Sequence, residues 1–222
     1  MEYIKETLKS EYDKQYLSIS SDWREFAGKS KAQNIVEITA GLSFIRVLEV
    51  GAGDGSILKH LGNWNFAAEL YAVEISETAL EKLKNKNIIN LKEAKLFDGY
   101  KIPYPDKYFD LVILSHVLEH VEFERLILRE IKRVGKYVVI EVPRDYKPKV
   151  DKRVEHFLSY GHINVYTPAT LKFLIKSEGF GVLKESLKTY NSAVFYHLYF
   201  SNGKIKYSPS FGPQIGLFKL KI

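Results

Sequence analysis

The stretch Val47-Leu48-Glu49-Val50-Gly51-Ala52-Gly53-Asp54-Gly55-Ser56 decides the fold. An apolar run from Ile45 to Val50 ends on three alternating glycines, and a helix-forming segment follows from Gly55 to Leu61. Glycine is needed where a backbone turns tightly and comes close to a ligand. A buried strand that feeds such a turn and then a helix is the opening unit of a doubly wound sheet, with the ligand at the carboxyl end of the strand.

Outward from this turn the same alternation repeats. Leu70–Ile75 reads as a second strand, with a helix from Ser76 to Lys84. A weaker strand lies within 88–97. Leu111–Leu114 and Tyr137–Val142 are continuous apolar runs of the kind found in buried parallel strands, and His120–Val134 between them has helical spacing. Thr167-Pro168 offers an N-cap followed by proline at the first helical position, and Gly179 stops that helix. Val182–Thr189 and Gly216–Ile222 read as closing strands. The expected fold is α/β: a Rossmann-like doubly wound sheet of about seven mostly parallel strands with an antiparallel closing strand. Residues 3–40 read as helices that cap it. The expected division is an N-terminal helical lid, 1–44, and a ligand-binding domain, 45–222, with an aromatic insertion around 190–215.

Composition narrows the function classes. The chain has 222 residues, 45% of them hydrophobic and 27% charged, which is enough to bury a core without staples. It contains no cysteine, so disulfides, thiolate metal sites and cysteine nucleophiles are excluded. No apolar run approaches the length of a membrane span, and the charged start lacks a signal core, so a cytoplasmic location is expected. Lys and Arg exceed Asp and Glu by 6, and residues 144–222 carry the excess with 13 basic and 5 acidic residues. Such a half attracts anions. Its lysines are scattered rather than in a run, which equally describes a solvated surface.

Two ligand classes compete for the glycine turn. A dinucleotide site wants a third small residue where Ser56 stands, and a pyrophosphate would be repelled by Asp54 and Glu49. Those acids suit a ligand that carries an ammonium and a sulfonium, a description met by S-adenosylmethionine (SAM). The stretch from Glu49 to Gly55 resembles motif I of the class I SAM-dependent methyltransferases. Leu70–Ser76 is similar to the second strand of that family, and Phe97-Asp98-Gly99 to its adenine loop. The run from Ile102 to Asp110, followed by His116-Val117-Leu118-Glu119-His120-Val121, resembles a region of its small-molecule subfamily. Gly161–Pro168 does too. The resemblance covers about residues 45–180. It implies cofactor contacts from Glu49, Gly51, Ala52, Gly53, Gly55, Glu74, Ile75, Asp98, Gly99 and Ser115, with Glu74 on the ribose hydroxyls and Asp98 on the adenine amino group. Asp and Glu are also common caps and turn formers, and Asp110, at the start of a strand, reads as structural.

The resemblance implies methyl transfer to a small-molecule or glycan-like acceptor. A hydroxyl or protonated-amine acceptor must lose a proton to a base, and histidine suits that task near neutral pH. His116 and His162 are the candidate catalytic residues, with His156 as an alternative. His116-x-x-Glu119-His120 also spells a zinc motif, but it follows a buried strand and shows no third ligand in sequence, so no metal is expected. Tyr12, Tyr16 and Trp23 could line a lid over the sulfonium or simply pack helices. Nucleic acid is not the expected partner; a second copy of the chain is compatible with the sequence. A non-catalytic SAM-fold module that binds RNA or a protein through its basic half is the competing function, and a dinucleotide oxidoreductase is the third.

Overall fold

A computed structural model describes residues 21–145, 161–189 and 214–221. Tyr12, Tyr16, His156 and most of the 190–215 insertion lie outside the described residues, as does the side chain of Trp23. The element order is α1 (Ser21–Ile38), β1 (Phe44–Val50), α2 (Ser56–Asn63), β2 (Ala67–Glu74), α3 (Glu77–Lys84), β3 (Leu91–Leu96), β4 (Phe109–Ser115), a 3-10 turn (Leu118–His120), α4 (Glu124–Val134), β5 (Gly135–Pro143), α5 (Pro168–Ser177), β6 (Gly181–Thr189) and β7 (Gln214–Lys221).

The sheet is Rossmann-like and mostly parallel. Strands β3-β2-β1-β4-β5 lie side by side and run parallel. Beyond β5, β7 pairs antiparallel, and β6 pairs antiparallel with β7. The chain moves outward from β1 through β2 to β3 and then crosses back to β4. The carboxyl ends of β1 and β4 therefore flank the switch point, where open α/β sheets bind ligands.

Side-chain alternation divides the core into two layers. On one face Leu48, Val50, Val112, Leu114, Val138 and Ile140 meet Ile127, Leu128, Ile131 and Val134 of α4 and Leu171, Leu174 and Ile175 of α5. On the other, Val47, Leu70, Ala72, Leu111, Ile113 and Val139 meet Ala32, Ile35 and Ile38 of α1 and Leu58 and Leu61 of α2. Helix α1 contributes Ala32, Ile35 and Ile38 to this second layer.

Local chemistry sets the ends of these elements. The Ser76 hydroxyl accepts from Ala79 N–H and starts α3. Thr167 and Thr170 form a reciprocal capping box with Pro168 in the first turn of α5. Asp110 does the structural work expected of it. Its Oδ2 accepts the N–H groups of Ile45 and Arg46 at 2.9 and 3.0 Å, and its Oδ1 pairs with Lys136. The helix expected from His120 begins only at Glu124, because His116 takes a left-handed conformation (φ 56°) and a 3-10 turn follows.

One contact fixes α1 against the glycine turn. A Cβ placed on Gly28 would stand 2.6 Å from Ser56 Cβ and 2.9 Å from its carbonyl carbon. Only a bare backbone lets α1 approach the first residue of α2 this closely. Replacing Gly28 by Val should lower the unfolding free energy by about 1–3 kcal/mol through overpacking. A urea titration would show this as a lower midpoint with an unchanged slope; an unchanged midpoint would mean that the helix approach is soft.

Candidate active site

The turn after β1 is built from backbone that a side chain would obstruct. Gly51, Gly53 and Gly55 have φ of 69, 55 and 76°. A Cβ on Gly51 would meet Val117 at 2.6 Å. The N–H groups of Gly51 and Ala52 donate to Val73 O at 2.9 and 3.3 Å, which lays the turn across the end of β2. There Glu74 gathers the site. Its Oε2 accepts Gly53 N–H at 2.7 Å, and its Oε1 accepts Ile75 and Ser76 N–H at 2.8 and 3.0 Å. Phe97 N–H donates to Glu74 O at 3.0 Å and brings the loop of Asp98 and Gly99 alongside.

Glu49 lies in the same place with a different standing. It is 2% exposed, and its Oε2 has no hydrogen-bond partner. Burial pushes its carboxyl well above the usual range, against the pull of Lys31. An ionised carboxylate so placed costs several kcal/mol unless a cation pairs with it. The other acid expected to favour a cation behaves otherwise. Asp54 accepts the Ser56 hydroxyl at 2.7 Å and pairs with Lys86 at 3.0 Å. Burial pushes its carboxyl up, but the Ser56 hydrogen bond and the Lys86 charge outweigh this and hold it low. Asp54 thus anchors the start of α2, and Glu49 keeps a buried carboxyl oxygen without a hydrogen-bond partner.

Asp98 is exposed, and its Oδ1 accepts Tyr100 and Lys101 N–H at 2.9 and 2.6 Å, so it also closes a turn. Gly99 beside it is buried with φ 90°. The Ser115 hydroxyl donates to Glu141 Oε2, and Asn34 Nδ2 donates to Glu141 Oε1 at 3.1 Å. Glu141, 0% exposed at the end of β5, was not among the expected site residues, nor were Asn34 and Lys31 of α1. A charge inside the run Tyr137–Val142 is a readable signal for Glu141. A lysine among 33 basic residues is none. Lys31 faces Glu141, Glu119, Glu49 and Asp54; burial lowers its pKa and these carboxylates oppose the shift.

Beyond β4 the histidines converge. His116 N–H donates to Glu141 O at 2.8 Å, and its Nε2 is buried without a partner. Burial, followed by Lys31, pushes its pKa down to about 3, which leaves it neutral and a weak base near neutral pH. His162 arrives from the segment before α5. Asn164 clamps that segment, donating from Nδ2 to Leu118 O at 3.0 Å and Val121 O at 2.7 Å, and Ile163 N–H donates to Glu119 O at 2.9 Å. His162 Nδ1 lies 2.7 Å from Asp145 Oδ2, and His120 Nδ1 lies 3.1 Å from Gly161 O. The rings of His120 and His162 meet edge to face at 4.7 Å. Glu119 and His120 of the His116-x-x-Glu119-His120 motif and His162 from the later segment bring ligand-type atoms within 4.8 Å of one another. The expectation of no metal rested on His116 following a buried strand and on the lack of a third ligand in sequence.

These residues fit S-adenosylmethionine. The buried unpartnered oxygen of Glu49 beside the glycine turn asks for a cation such as the methionine ammonium. Glu74 stands where strand-end carboxylates hold ribose hydroxyls.

Among known proteins, a family model described as a methyltransferase domain matches residues 12–185. The ubiquinone/menaquinone biosynthesis C-methyltransferase UbiE of Cupriavidus taiwanensis is 31% identical over 112 residues, covering 46% of this chain and 45% of that protein. The chain thus spans less than half the length of these curated relatives. A SAM-dependent methyltransferase from Archaeoglobus fulgidus superposes with a TM-score of 0.62 at 22% identity, covering 90% of this chain and 94% of that one. One from Aquifex aeolicus gives 0.60 at 17%, covering 88% and 92%. The solved structures share the fold, and the family match spans most of the sequence: the chain belongs to the methyltransferase-domain family, the class I methyltransferases whose cofactor is S-adenosylmethionine.

Proposed function

We propose that this chain transfers a methyl group from S-adenosylmethionine to a small-molecule or glycan-like acceptor. The observation that carries the reading is the buried, unpartnered Glu49 oxygen beside a glycine turn that closes on Glu74. In this reading Glu49 meets the ammonium, and Gly51, Ala52, Gly53 and Gly55 let the backbone approach the methionine portion. Glu74 takes the ribose hydroxyls. Ile75, Asp98 and Gly99 flank the adenine, and Ser115 lines the end of β4. The cofactor supplies a methyl group already activated on a sulfonium. What remains for the protein is to align the acceptor, exclude water and deal with any proton the acceptor must lose.

His116 and His162 border the acceptor side. His116, neutral and buried, lines the cleft as an apolar-like wall with a hydrogen-bonding edge. The relative from Cupriavidus is a C-methyltransferase by name, which supports an activated ring carbon as one acceptor chemistry; a hydroxyl is the other. Among the described residues no helix is long and apolar enough to cross a membrane, which is compatible with a diffusible acceptor.

Incubation with radiolabelled methyl donor and a panel of hydroxyl- and ring-bearing metabolites should yield a labelled product and demethylated cofactor. A chain that binds neither the donor nor its demethylated product at high micromolar concentration would overturn the reading. Glu74→Gln should weaken donor binding at least tenfold, because an amide cannot accept from the Gly53 and Ile75 backbones and from ribose with both of its polar atoms. An unchanged dissociation constant would put the ribose elsewhere.

Glu49 gives a second, signed expectation. Its pKa is raised in the free protein, and a neighbouring cation favours the ionised form. Binding the ammonium should therefore release a proton, and donor affinity should rise with pH through the interval in which free Glu49 ionises. Calorimetry in two buffers of different ionisation heat reads the proton directly. Glu49→Gln should abolish the release; the same proton count in both proteins would exclude Glu49 as the ammonium's partner.

A further inference from the structure

We propose that Glu119, His120 and His162 form a binding site for one divalent transition-metal cation at the acceptor end of the cleft. Two imidazoles and one carboxylate are a ligand set that takes zinc or ferrous iron and leaves coordination positions open. Their ligand atoms already lie within 4.8 Å of one another. A tetrahedral ion with bonds near 2.1 Å holds its ligands about 3.4 Å apart, so closure asks for side-chain rotations of about an ångström.

Three independent features point to a ligand here. First, both Glu119 carboxylate oxygens are buried and lack a hydrogen-bond partner. His116 Nδ1 is 3.3 Å from Oε1 and does not make a hydrogen bond with it. A carboxylate that is 0% exposed with neither oxygen satisfied is costly unless something fills the gap. Second, the outer contacts match those of metal-bound histidines. His162 Nδ1 meets the Asp145 carboxylate and His120 Nδ1 meets the Gly161 carbonyl, the outer contacts that orient metal-bound imidazoles. Third, the two halves of the site are tied together in advance. Backbone and Asn164 hydrogen bonds pin the His162 segment to the 118–121 turn. The side chains of His120 and His162 retain 20% and 16% exposure, which leaves a route for an ion.

Lys31 also faces Glu119, and its charge works against a cation. Asp145, against His162, and Glu141, near Lys31, offset it. Under the proposed methyltransferase activity, on which this last consequence alone rests, the open positions would accept an oxygen of the acceptor. His162 would then be a metal ligand rather than the base expected from sequence.

The test uses the whole chain, stripped with a chelator and dialysed, then titrated with Zn2+ and separately with Co2+. The expected result is one equivalent of Zn2+ retained per chain and Co2+ bands of a four- or five-coordinate nitrogen–oxygen site. Glu119→Gln and His162→Ala should each weaken binding at least tenfold, and Asp145→Asn, which touches no ion, should weaken it about 10–100-fold. His162 lies on a surface segment, so its variant keeps the test open if Glu119→Gln destabilises the chain; thermal melting checks each fold. No retained metal in the natural sequence, or equal affinity in the His162→Ala and natural chains, overturns the site. Donor titration of the stripped chain separates the two readings. Donor binding without metal binding refutes the metal site, and metal binding without donor binding supports it while refuting the proposed activity.

Discussion

Charge burial at one rim is the constraint on which the rest of the molecule depends. Glu49, Glu74, Glu119 and Glu141 are each 4% exposed or less, and all lie at or just beyond the carboxyl ends of parallel strands. Taking a carboxylate out of water costs several kcal/mol unless hydrogen bonds or cations compensate it. The fold compensates two of the four itself. Glu74 takes three backbone N–H groups, and Glu141 takes Ser115 and Asn34. The other two, Glu49 and Glu119, keep oxygens with no partner. These unsatisfied carboxyl oxygens thus lie at the end of β1 and in the turn after β4, on either side of the switch point.

Holding such a rim together requires the covering helices to come unusually close. Gly28 lets α1 touch Ser56, and that contact carries Lys31 and Asn34, three and six residues further on, to the same edge. Helix α1 walls that edge. It contributes Ala32, Ile35 and Ile38 to the core and polar groups to the rim from a neighbouring stripe. The same geometry explains why Asp54 serves structure: Lys86 and Ser56 claim it before any ligand can.

How legible this was in the sequence follows the range of the interactions. Strand runs such as Leu111–Leu114 and Tyr137–Val142 are local, and the strands observed extend them by one or two residues at each end. Thr167-Pro168 and Ser76 cap the helices they were expected to start. The glycine turn was legible because its positive φ angles leave few residues able to take its place. The helix expected from His120 was misread at its start, since nothing in the residues reveals that His116 turns left-handed. Lys31, Asn34 and Asp145 were invisible for another reason. Their roles depend on contacts with residues distant in sequence, and periodicity carries no information about those.

The cluster beyond β4 shows that limit most clearly. Read as a linear motif, His116-x-x-Glu119-His120 belongs on a helix, where its first and last members would face one ion. Here the left-handed residue and the 3-10 turn break that register. His116 is drawn toward Glu141 and the sheet, and Glu119 is left facing His162 from a segment more than forty residues later. Burial there keeps His116 neutral. In the proposed reaction a sulfonium loses its charge as the methyl leaves. A fixed anion beside it would stabilise the charged ground state and raise the barrier, and a fixed cation would repel the donor on entry. A neutral imidazole does neither. In that reading the carboxyls act at the two ends of the site, Glu49 on the ammonium and Glu119 on the acceptor side, with the neutral imidazole between them.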